Sequence, residues 1–180
     1  MTRTTYYVAS TLDGFIADEH DALDWLFRQQ IDDDGPMGYP AFISGIGALL
    51  MGSTTYEWVR THDDVAGGWP YEQPCWVFTH RDLPRIEGAD LRFASGDVAE
   101  VWPEVLAAAG GSGVWVVGGG GLASQVAAAG LLDEVIVSIA PVALGAGRPL
   151  LTEALDLRLV DLARNGDFAC ARYDVVRPTG

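Results

Sequence analysis

The sequence contains no lysine, and all eleven of its basic residues are arginine. Schiff-base chemistry, pyridoxal phosphate catalysis and the P-loop of nucleotide hydrolases all require a lysine side chain. The absence of lysine therefore excludes these classes of enzyme.

Histidine and cysteine are also rare. The three histidines, at positions 20, 62 and 80, are widely separated, and the two cysteines, Cys75 and Cys170, belong to no paired motif. Zinc sites are built from clustered cysteine and histidine ligands. We therefore predict no metal site, and two reduced, buried thiols.

Long apolar runs are missing as well. No segment reaches the roughly 18 continuous apolar residues that cross a membrane. The first residues pass almost at once into a strand-like run without an apolar leader. We therefore expect a cytoplasmic protein with no membrane partner.

Positive charge is in short supply. The 25 acidic residues outnumber the 11 basic ones, which gives a net charge of −14. Nucleic-acid binding depends on clustered cations, so we predict no nucleic-acid partner. Any anionic cofactor must be held by local groups that oppose this overall charge.

Glycine, by contrast, is abundant, most notably in the run Gly118–Gly121. Val114–Val117 has the β-branched character of a buried strand, and the apolar spacing that begins at Leu122 is typical of a helix. A strand that passes through bare backbone into a helix brings free N–H groups and a positive helix end to one point, which favours binding of an anion. The alternative is a tight turn that needs glycine only for its backbone angles.

A second junction of this kind occurs earlier in the chain. Ala48–Met51 is a short apolar strand, Gly52 follows it, and Ser53–Arg60 predicts a helix whose hydroxyl residues cap its start.

The remaining segments complete an α/β pattern. Strands are predicted at 6–9, 75–79, 91–93 and 134–140, helices at 39–46 and 98–109, a turn at 13–14 and a surface loop over 61–73. Two alternating segments, 157–163 and 168–176, are joined by Asn165-Gly166, a strong hairpin signal. We therefore predict one domain, residues 1–180, with a mixed sheet and a closing antiparallel hairpin.

The glycine run also matches the dinucleotide pattern G-x-G-x-x-G/A, at Gly118, Gly120 and Ala123. In a Rossmann fold an acidic residue at the end of the following strand holds the ribose. Here the following strand ends in Pro141 with no acid. The pattern therefore predicts an anion-binding site but not a Rossmann fold.

Four separated stretches, in order, resemble one family. They are Ala9–Ala17 with Asp24–Leu26, then Leu50–Glu57, then Val117–Leu122, and then Ala140–Leu150. Over nearly the whole chain the sequence resembles the dihydrofolate reductase-like fold. Within that fold it resembles the stand-alone reductases related to the C-terminal reductase domain of riboflavin-biosynthesis deaminase-reductases. The resemblance implies a three-layer α/β fold whose central sheet is mostly parallel, with about eight strands and an antiparallel C-terminal hairpin.

The resemblance also implies an NADPH site, with NADH as the alternative cofactor, at the carboxyl edge of the sheet. The residues implied to present helix starts to the pyrophosphate are Gly52, Ser53, Thr54 and Thr55 at one junction and Gly118, Gly119, Gly120, Gly121 and Leu122 at the other. Thr79, His80 and Arg81 would flank the adenine ribose and its 2′-phosphate, and Ala9 and Ile16 would contact the nicotinamide. Two helix starts and Arg81 would supply the local positive potential that the acidic chain requires.

Two positions depart from the family's pattern. Ser53 stands where members often carry an arginine, which leaves Arg81, with Arg60, to read a 2′-phosphate. Phe15 stands where the riboflavin-pathway reductases usually have a basic residue suited to a phosphoribosyl substrate. The sequence also lacks the deaminase motif. We therefore do not expect the riboflavin intermediate to be the substrate.

The resemblance implies a homodimeric reductase of a small pteridine, pyrimidine or other carbonyl or imine substrate. This enzyme would be related to dihydrofolate reductase and to 5-amino-6-(5-phosphoribosylamino)uracil reductase. The alternative function is a non-catalytic nicotinamide-nucleotide-binding or regulatory module.

A reductase needs a proton source as well as its cofactor. Asp13 is the first candidate for a catalytic or substrate-orienting residue, with a simple turn as its alternative, and the run Asp32–Asp34 is the second. The predicted walls of the substrate pocket are Trp25, Tyr39, Phe42 and Met51, for each of which a place in the core is the alternative.

Overall fold

The computed structural model describes residues 1–62 and 68–177. Its strands and helices follow one another in an α/β order. They are β1 (Thr4–Thr11), β2 (Phe15–Ala17), α1 (Asp24–Phe27), α2 (Tyr39–Ile43), β3 (Ile46–Gly52), α3 (Ser53–Thr61), β4 (Cys75–Phe78), β5 (Leu91–Ala94), α4 (Val98–Ala109), β6 (Gly113–Gly118), α5 (Gly120–Ala128), β7 (Glu134–Ala140), β8 (Arg148–Pro149), β9 (Leu157–Asn165) and β10 (Phe168–Val175).

Eight of these strands form one sheet in the order β5-β4-β3-β6-β1-β7-β10-β9. The six strands from β5 to β7 pair in parallel, and the hairpin of β9 and β10 joins β7 in antiparallel orientation. The predicted mostly parallel sheet of about eight strands with an antiparallel C-terminal hairpin is confirmed.

The sheet is covered on both faces because its central strands are apolar on both sides. Leu50 of β3 and Val116 of β6 pack toward α4 and α5, where Val105 and Val126 meet them. The alternate residues face the other way and pack with α3 and its neighbours. This second core comprises Leu49, Met51, Tyr56, Cys75, Val77, Leu83, Leu91 and Trp115. Side chains that alternate between two faces thus build the predicted three layers.

The starts of two segments differ from the sequence prediction. Helix α3 begins at Ser53 with Gly52 as its N-cap, and no side chain caps it, so the predicted hydroxyl cap is wrong. Helix α2 ends at Ile43, and Ile46, predicted as its last apolar residue, instead begins β3. Tertiary pairing with β6 overrides the helical spacing there, because Ile46 pairs with Gly113.

The predicted hairpin is attached to an earlier loop through Asn165. This side chain is 2% exposed, and its Nδ2 donates to the carbonyl oxygens of Asp32 and Pro36 at 2.9 and 3.1 Å. Its Oδ1 accepts from the Asp32 N–H at 2.9 Å. The turn residue therefore fixes the position of residues 32–36 as well as closing the hairpin.

The predicted loop over 61–73 lies partly outside the described residues. Its residues 68–73 form no helix or strand, while Thr61 is the last residue of α3. Within residues 1–62 and 68–177, none of the helices has the length and apolarity to cross a membrane.

We expect Gly120→Ala to destabilise the fold by about 1–3 kcal/mol. A Cβ at this position would lie 2.6 Å from the Leu150 carbonyl oxygen and closer still to that of Pro149, so backbone must move. Gly121→Ala is the matched control, because a Cβ there meets nothing within 4 Å. Its stability should stay within roughly 0.5 kcal/mol of the parent in urea unfolding. Equal losses in the two variants would contradict the packing argument.

Candidate functional site

The two glycine junctions predicted from sequence lie side by side. Strands β3 and β6 are neighbours in the sheet, with Met51 paired to Gly118. A Cβ on Gly52 would lie 3.7 Å from the Gly119 nitrogen. The starts of α3 and α5 therefore meet at one point, at the carboxyl ends of two adjacent parallel strands.

Both helix starts leave backbone donors free for a ligand. The N-caps, Gly52 and Gly119, supply no side-chain acceptor. The first N–H groups of a helix have no acceptor within the helix, and the helix dipole adds positive potential there. Gly121 has open space where a Cβ would be. This geometry fits a phosphate or pyrophosphate group that approaches bare backbone.

A cavity of about 630 Å³ opens at these helix starts, a size typical of small-molecule sites. Its walls come from both glycine junctions, from β1 and β2, and from the segments before α1 and around β8. They are formed by Tyr7, Val8, Ala9, Ile16, Ala17, Asp21, Leu23, Leu26, Thr54, Thr55, Trp58, Val59, Tyr71, Trp115, Val117, Gly118, Gly119, Gly120, Gly121, Arg148, Pro149 and Thr152.

One part of this cavity is aromatic. Tyr7 and Tyr71 each meet the Trp115 ring edge-on, with centroids 6.2 and 5.7 Å apart. The Trp115 indole N–H donates to the Tyr7 carbonyl oxygen at 3.0 Å, which fixes the ring. Trp58 adds a further wall. Flat apolar walls of this kind suit a planar ligand.

Tyr71, which lines the cavity, also carries a hydroxyl group. It makes no hydrogen bond to any residue in the described part of the chain, whereas the Tyr7 hydroxyl donates to the Met37 carbonyl oxygen at 2.8 Å. Burial raises the pKa of Tyr71 well above its ordinary value. The Tyr71 hydroxyl therefore stays protonated at neutral pH and can donate a hydrogen bond.

Among the described residues that line the cavity, Asp21 and Arg148 are the two with charged side chains, and they form an ion pair with each other. Arg148 Nε lies 2.6 Å from Asp21 Oδ1, and Arg148 Nη2 lies 3.2 Å from Asp21 Oδ2. Both side chains are partly exposed, so the pair contributes little to stability.

Asp13, the first predicted catalytic residue, is not among the residues that line the cavity. Its carboxylate accepts from Thr11 Oγ1 at 2.6 Å and from the backbone N–H groups of Gly145 and Leu144 at 2.7 and 3.2 Å. The Thr11 hydroxyl, then the Gly145 N–H, lower the pKa of Asp13 below its ordinary value. This carboxylate joins the turn after β1 to the loop before β8, and its low pKa disfavours a role as proton donor. The other candidates, Asp32–Asp34, are exposed and also lie outside the lining.

Most of the predicted cofactor residues come together. Ala9, Ile16, Thr54 and Thr55 line the cavity, as do all four residues of the glycine run. Leu122 is 6% exposed and packs in the core, so only its backbone can serve a ligand. Gly52 and Ser53 form the start of α3 without being part of the cavity wall.

Thr79, His80 and Arg81 follow β4, on the other side of β3 from the glycine run. The Arg81 N–H donates to Thr79 Oγ1 at 3.0 Å. Arg81 Nη2 lies 2.8 Å from Glu57 Oε2 of α3. The three residues thus lie at the same carboxyl edge as the two junctions, but outside the cavity lining.

The four predicted substrate-pocket residues do not line the cavity. Met51 is fully buried, because strand alternation directs its side chain into the core beneath α3. Trp25 is 3% exposed and packs on Phe168 and its neighbours. Phe42 stacks on the outer face of Tyr7 at 4.2 Å, and Tyr39 lies beside it. Phe42 and Tyr39 therefore support the aromatic wall from behind.

Sequence reasoning missed the residues that form the wall itself. They are Tyr7, Trp58, Tyr71 and Trp115 among the aromatics, together with Asp21 and Arg148. Alternation along β1 and β6 distinguishes Tyr7 and Trp115 from their buried neighbours only once the faces of the sheet are known. Within residues 1–62 and 68–177, no group of three His, Cys, Asp or Glu side chains is placed to hold a metal ion.

Comparison with solved structures defines the class of this fold. Dihydrofolate reductase from Enterococcus faecalis, complexed with NADP(H), superposes with a TM-score of 0.59 at 14% identity, covering 96% of each chain. A putative riboflavin biosynthesis protein from Shewanella sp. PV-4 gives a TM-score of 0.79 at 24% identity, over 97% of this chain and 99% of that one. The protein therefore has the dihydrofolate reductase-like fold.

Sequence comparison gives the family within that class. The model of the RibD C-terminal domain matches residues 60–167. The protein YwjB of Bacillus subtilis is 32% identical over 175 residues, which are 95% of this chain and 97% of YwjB. The chain belongs to the RibD C-terminal domain family, and the resemblance seen in the sequence is confirmed.

We expect Asp13→Asn to accelerate hydrogen exchange at the Leu144 and Gly145 amides, because a neutral side chain is a weaker acceptor. In the parent protein the same protection should be present at neutral pH and decline as the pH falls through the lowered pKa of Asp13. Asp34→Asn, which changes an exposed carboxylate elsewhere, is the control. Unchanged exchange in Asp13→Asn would show that the carboxylate does not hold the loop.

Proposed function

We propose that the protein is a reductase that uses NADPH, with NADH as an alternative, to reduce a small planar carbonyl or imine substrate. The observation that supports this most directly is the meeting of two uncapped helix starts at one cavity that also has aromatic walls. Membership of a family named for the RibD C-terminal domain, and a fold shared with dihydrofolate reductase, agree with it.

The proposed cofactor position follows the order of the strands. The pyrophosphate would lie on the backbone of Gly119–Gly121 and Thr54–Thr55, where free N–H groups converge. The nicotinamide would lie beside Ala9 and Ile16, on β1 and β2. The adenosine would then extend across β3 toward Arg81, which the strand order places on the opposite side.

Reduced nicotinamide, when bound, supplies a hydride to the carbon of a C=O or C=N bond, and the heteroatom of that bond takes up a proton. The protein's part is to align the acceptor and to donate a hydrogen bond to the heteroatom as it gains electron density. The rings of Tyr7, Trp58 and Trp115 form walls for a flat acceptor. We assign the hydrogen bond that orients the acceptor heteroatom to the Tyr71 hydroxyl, while the proton that this heteroatom takes up comes from solvent.

The cavity walls argue for an acceptor without a large charge. The lining residues described above include two charged side chains, Asp21 and Arg148, and these pair with each other. Aromatic stacking and one hydroxyl donor suit a neutral carbonyl or imine ring of the pteridine or pyrimidine kind. We propose this class in preference to a phosphoribosyl substrate.

The predicted single domain over 1–180 and the predicted homodimer remain proposals. The edge strand β9 carries three apolar side chains, Leu159, Val160 and Leu162, that are 54%, 45% and 64% exposed. An apolar sheet edge of this kind is a surface on which a second copy would pair or pack.

The cofactor site is tested by a thermal-shift titration with NADPH and NADH. At a concentration about 100-fold above the dissociation constant, binding adds roughly 2.7 kcal/mol to stability, so the midpoint should rise by several degrees. We expect Arg81→Gln to reduce the shift with NADPH and to leave that with NADH unchanged, because only NADPH carries a 2′-phosphate. Arg92→Gln, which removes a cation elsewhere, is the control.

No shift with either dinucleotide would rule out the proposed reductase. Binding without turnover of any carbonyl or imine acceptor would instead favour the non-catalytic nucleotide-binding module.

Tyr71→Phe should lower the turnover number by roughly 100-fold while cofactor affinity stays unchanged, because it removes the hydrogen-bond donor and keeps the ring. Stopped-flow oxidation of the bound cofactor by an acceptor measures this directly. Tyr173→Phe, on β10 and outside the cavity lining, is the matched control. Full activity of Tyr71→Phe would exclude the hydroxyl from catalysis.

A further inference from the structure

Arg148 is the one cation among the described residues that line the cavity. A dinucleotide brings two phosphate charges into this space, inside a protein whose net charge is −14. Helix starts contribute about half a unit of positive charge each. A guanidinium in the same cavity, once released from its acidic partner, would add about as much positive charge as the two helix starts together.

The backbone around Arg148 is packed directly on the glycine junction. Strand β8 pairs with β2, where Arg148 lies opposite Ala17. The carbonyl oxygens of Pro149 and Leu150 lie against Gly120, the first residue of α5. The residue that directly follows Arg148 therefore packs against the start of α5.

In the structure Arg148 is held by acidic groups of a different segment. Its Nε and Nη2 bond to the two carboxylate oxygens of Asp21, and Nη2 also donates to the Glu19 carbonyl oxygen at 3.3 Å. The charges of Asp18 and Glu19 lie close enough to raise the pKa of Arg148, after the larger contribution of Asp21. The Asp21 carboxylate alone contacts the guanidinium, and Asp18 and Glu19 add negative charge near it.

We propose that Arg148 is a ligand of the cofactor pyrophosphate and that Asp21 competes with the pyrophosphate for it. This inference rests on the proposed function. The planar guanidinium binds a carboxylate and a phosphate through the same pair of parallel N–H donors, so it cannot give its full set of bonds to both. Exchange of Asp21 for the phosphate releases residues 18–21 from β8 when the cofactor enters.

The competition predicts that substitutions of the two partners of this ion pair change the affinity for the dinucleotide in opposite directions. Arg148→Gln should weaken binding of the dinucleotide by about tenfold, because it removes a charged hydrogen bond. Asp21→Asn should strengthen it by roughly threefold, because it frees the guanidinium. An ion pair with a purely structural role would instead give losses of the same sign in both variants.

Isothermal titration calorimetry with NADH and with NADPH measures these effects without any turnover. NADH carries the pyrophosphate but no 2′-phosphate, so an effect through Arg148 must appear with both, in contrast to one through Arg81. The difference in affinity between the parent and Arg148→Gln should shrink as salt is raised from 50 to 500 mM, because the electrostatic screening length becomes about threefold shorter. Arg158→Gln is the matched control, because Arg158 pairs with Asp174 on the terminal hairpin, outside the cavity lining.

Arg148→Lys is a second variant that separates loss of binding from poor folding. It keeps the positive charge but loses the paired N–H donors of the guanidinium, so its affinity for the dinucleotides should lie between those of the parent and Arg148→Gln. Unchanged affinity of Arg148→Gln for both dinucleotides would overturn the proposal, as would weaker binding by Asp21→Asn. If the parent protein binds neither dinucleotide, the proposed function itself fails. If it binds both and the two variants do not diverge, only the role of Arg148 fails.

Discussion

The site depends on the contact between two stretches of bare backbone, at Gly52 and at Gly118–Gly119. Parallel pairing of β3 with β6 brings the ends of these strands to the same level, and the absence of side chains lets the following helices start almost in contact. Neither helix start has a side-chain cap. The first N–H groups of both helices therefore lie at the same cavity, which is the space that this contact leaves open.

The chemistry of the cavity differs between parts of its wall. Uncapped helix starts lie at the glycine junctions, and Arg148, paired with Asp21, lies on the strand whose neighbouring residues pack against Gly120. Aromatic rings form another part of the wall, where Trp115 is fixed by its bond to the Tyr7 carbonyl oxygen. A ligand with an anionic middle and a flat, uncharged end fits this combination.

The sequence predicted the junctions well because glycine carries information about the backbone itself. Four consecutive glycines after a β-branched strand indicate a close approach of bare backbone. The strand at 134–140 and the terminal hairpin were also predicted correctly. The aromatic wall was not predictable in the same way. Tyr6 and Tyr7 are adjacent in sequence, yet the first is buried beneath α5 and the second faces the cavity. Which of two neighbours faces a site depends on the register of the whole sheet.

The place of β1 in the sheet has a consequence for how the protein is made. Thr5 pairs with both Trp115 of β6 and Glu134 of β7, so β1 must wait for partner strands that are synthesised more than a hundred residues after it. Contacts of such high sequence separation form slowly, since the intervening chain must first be ordered. Tyr7 and Ala9 belong to this strand and Arg148, Pro149 and Thr152 complete the wall, so the cavity is absent until β8 and the residues after it have been synthesised. During translation the chain must therefore fold without help from any ligand of that cavity, and a ligand can stabilise only the finished domain.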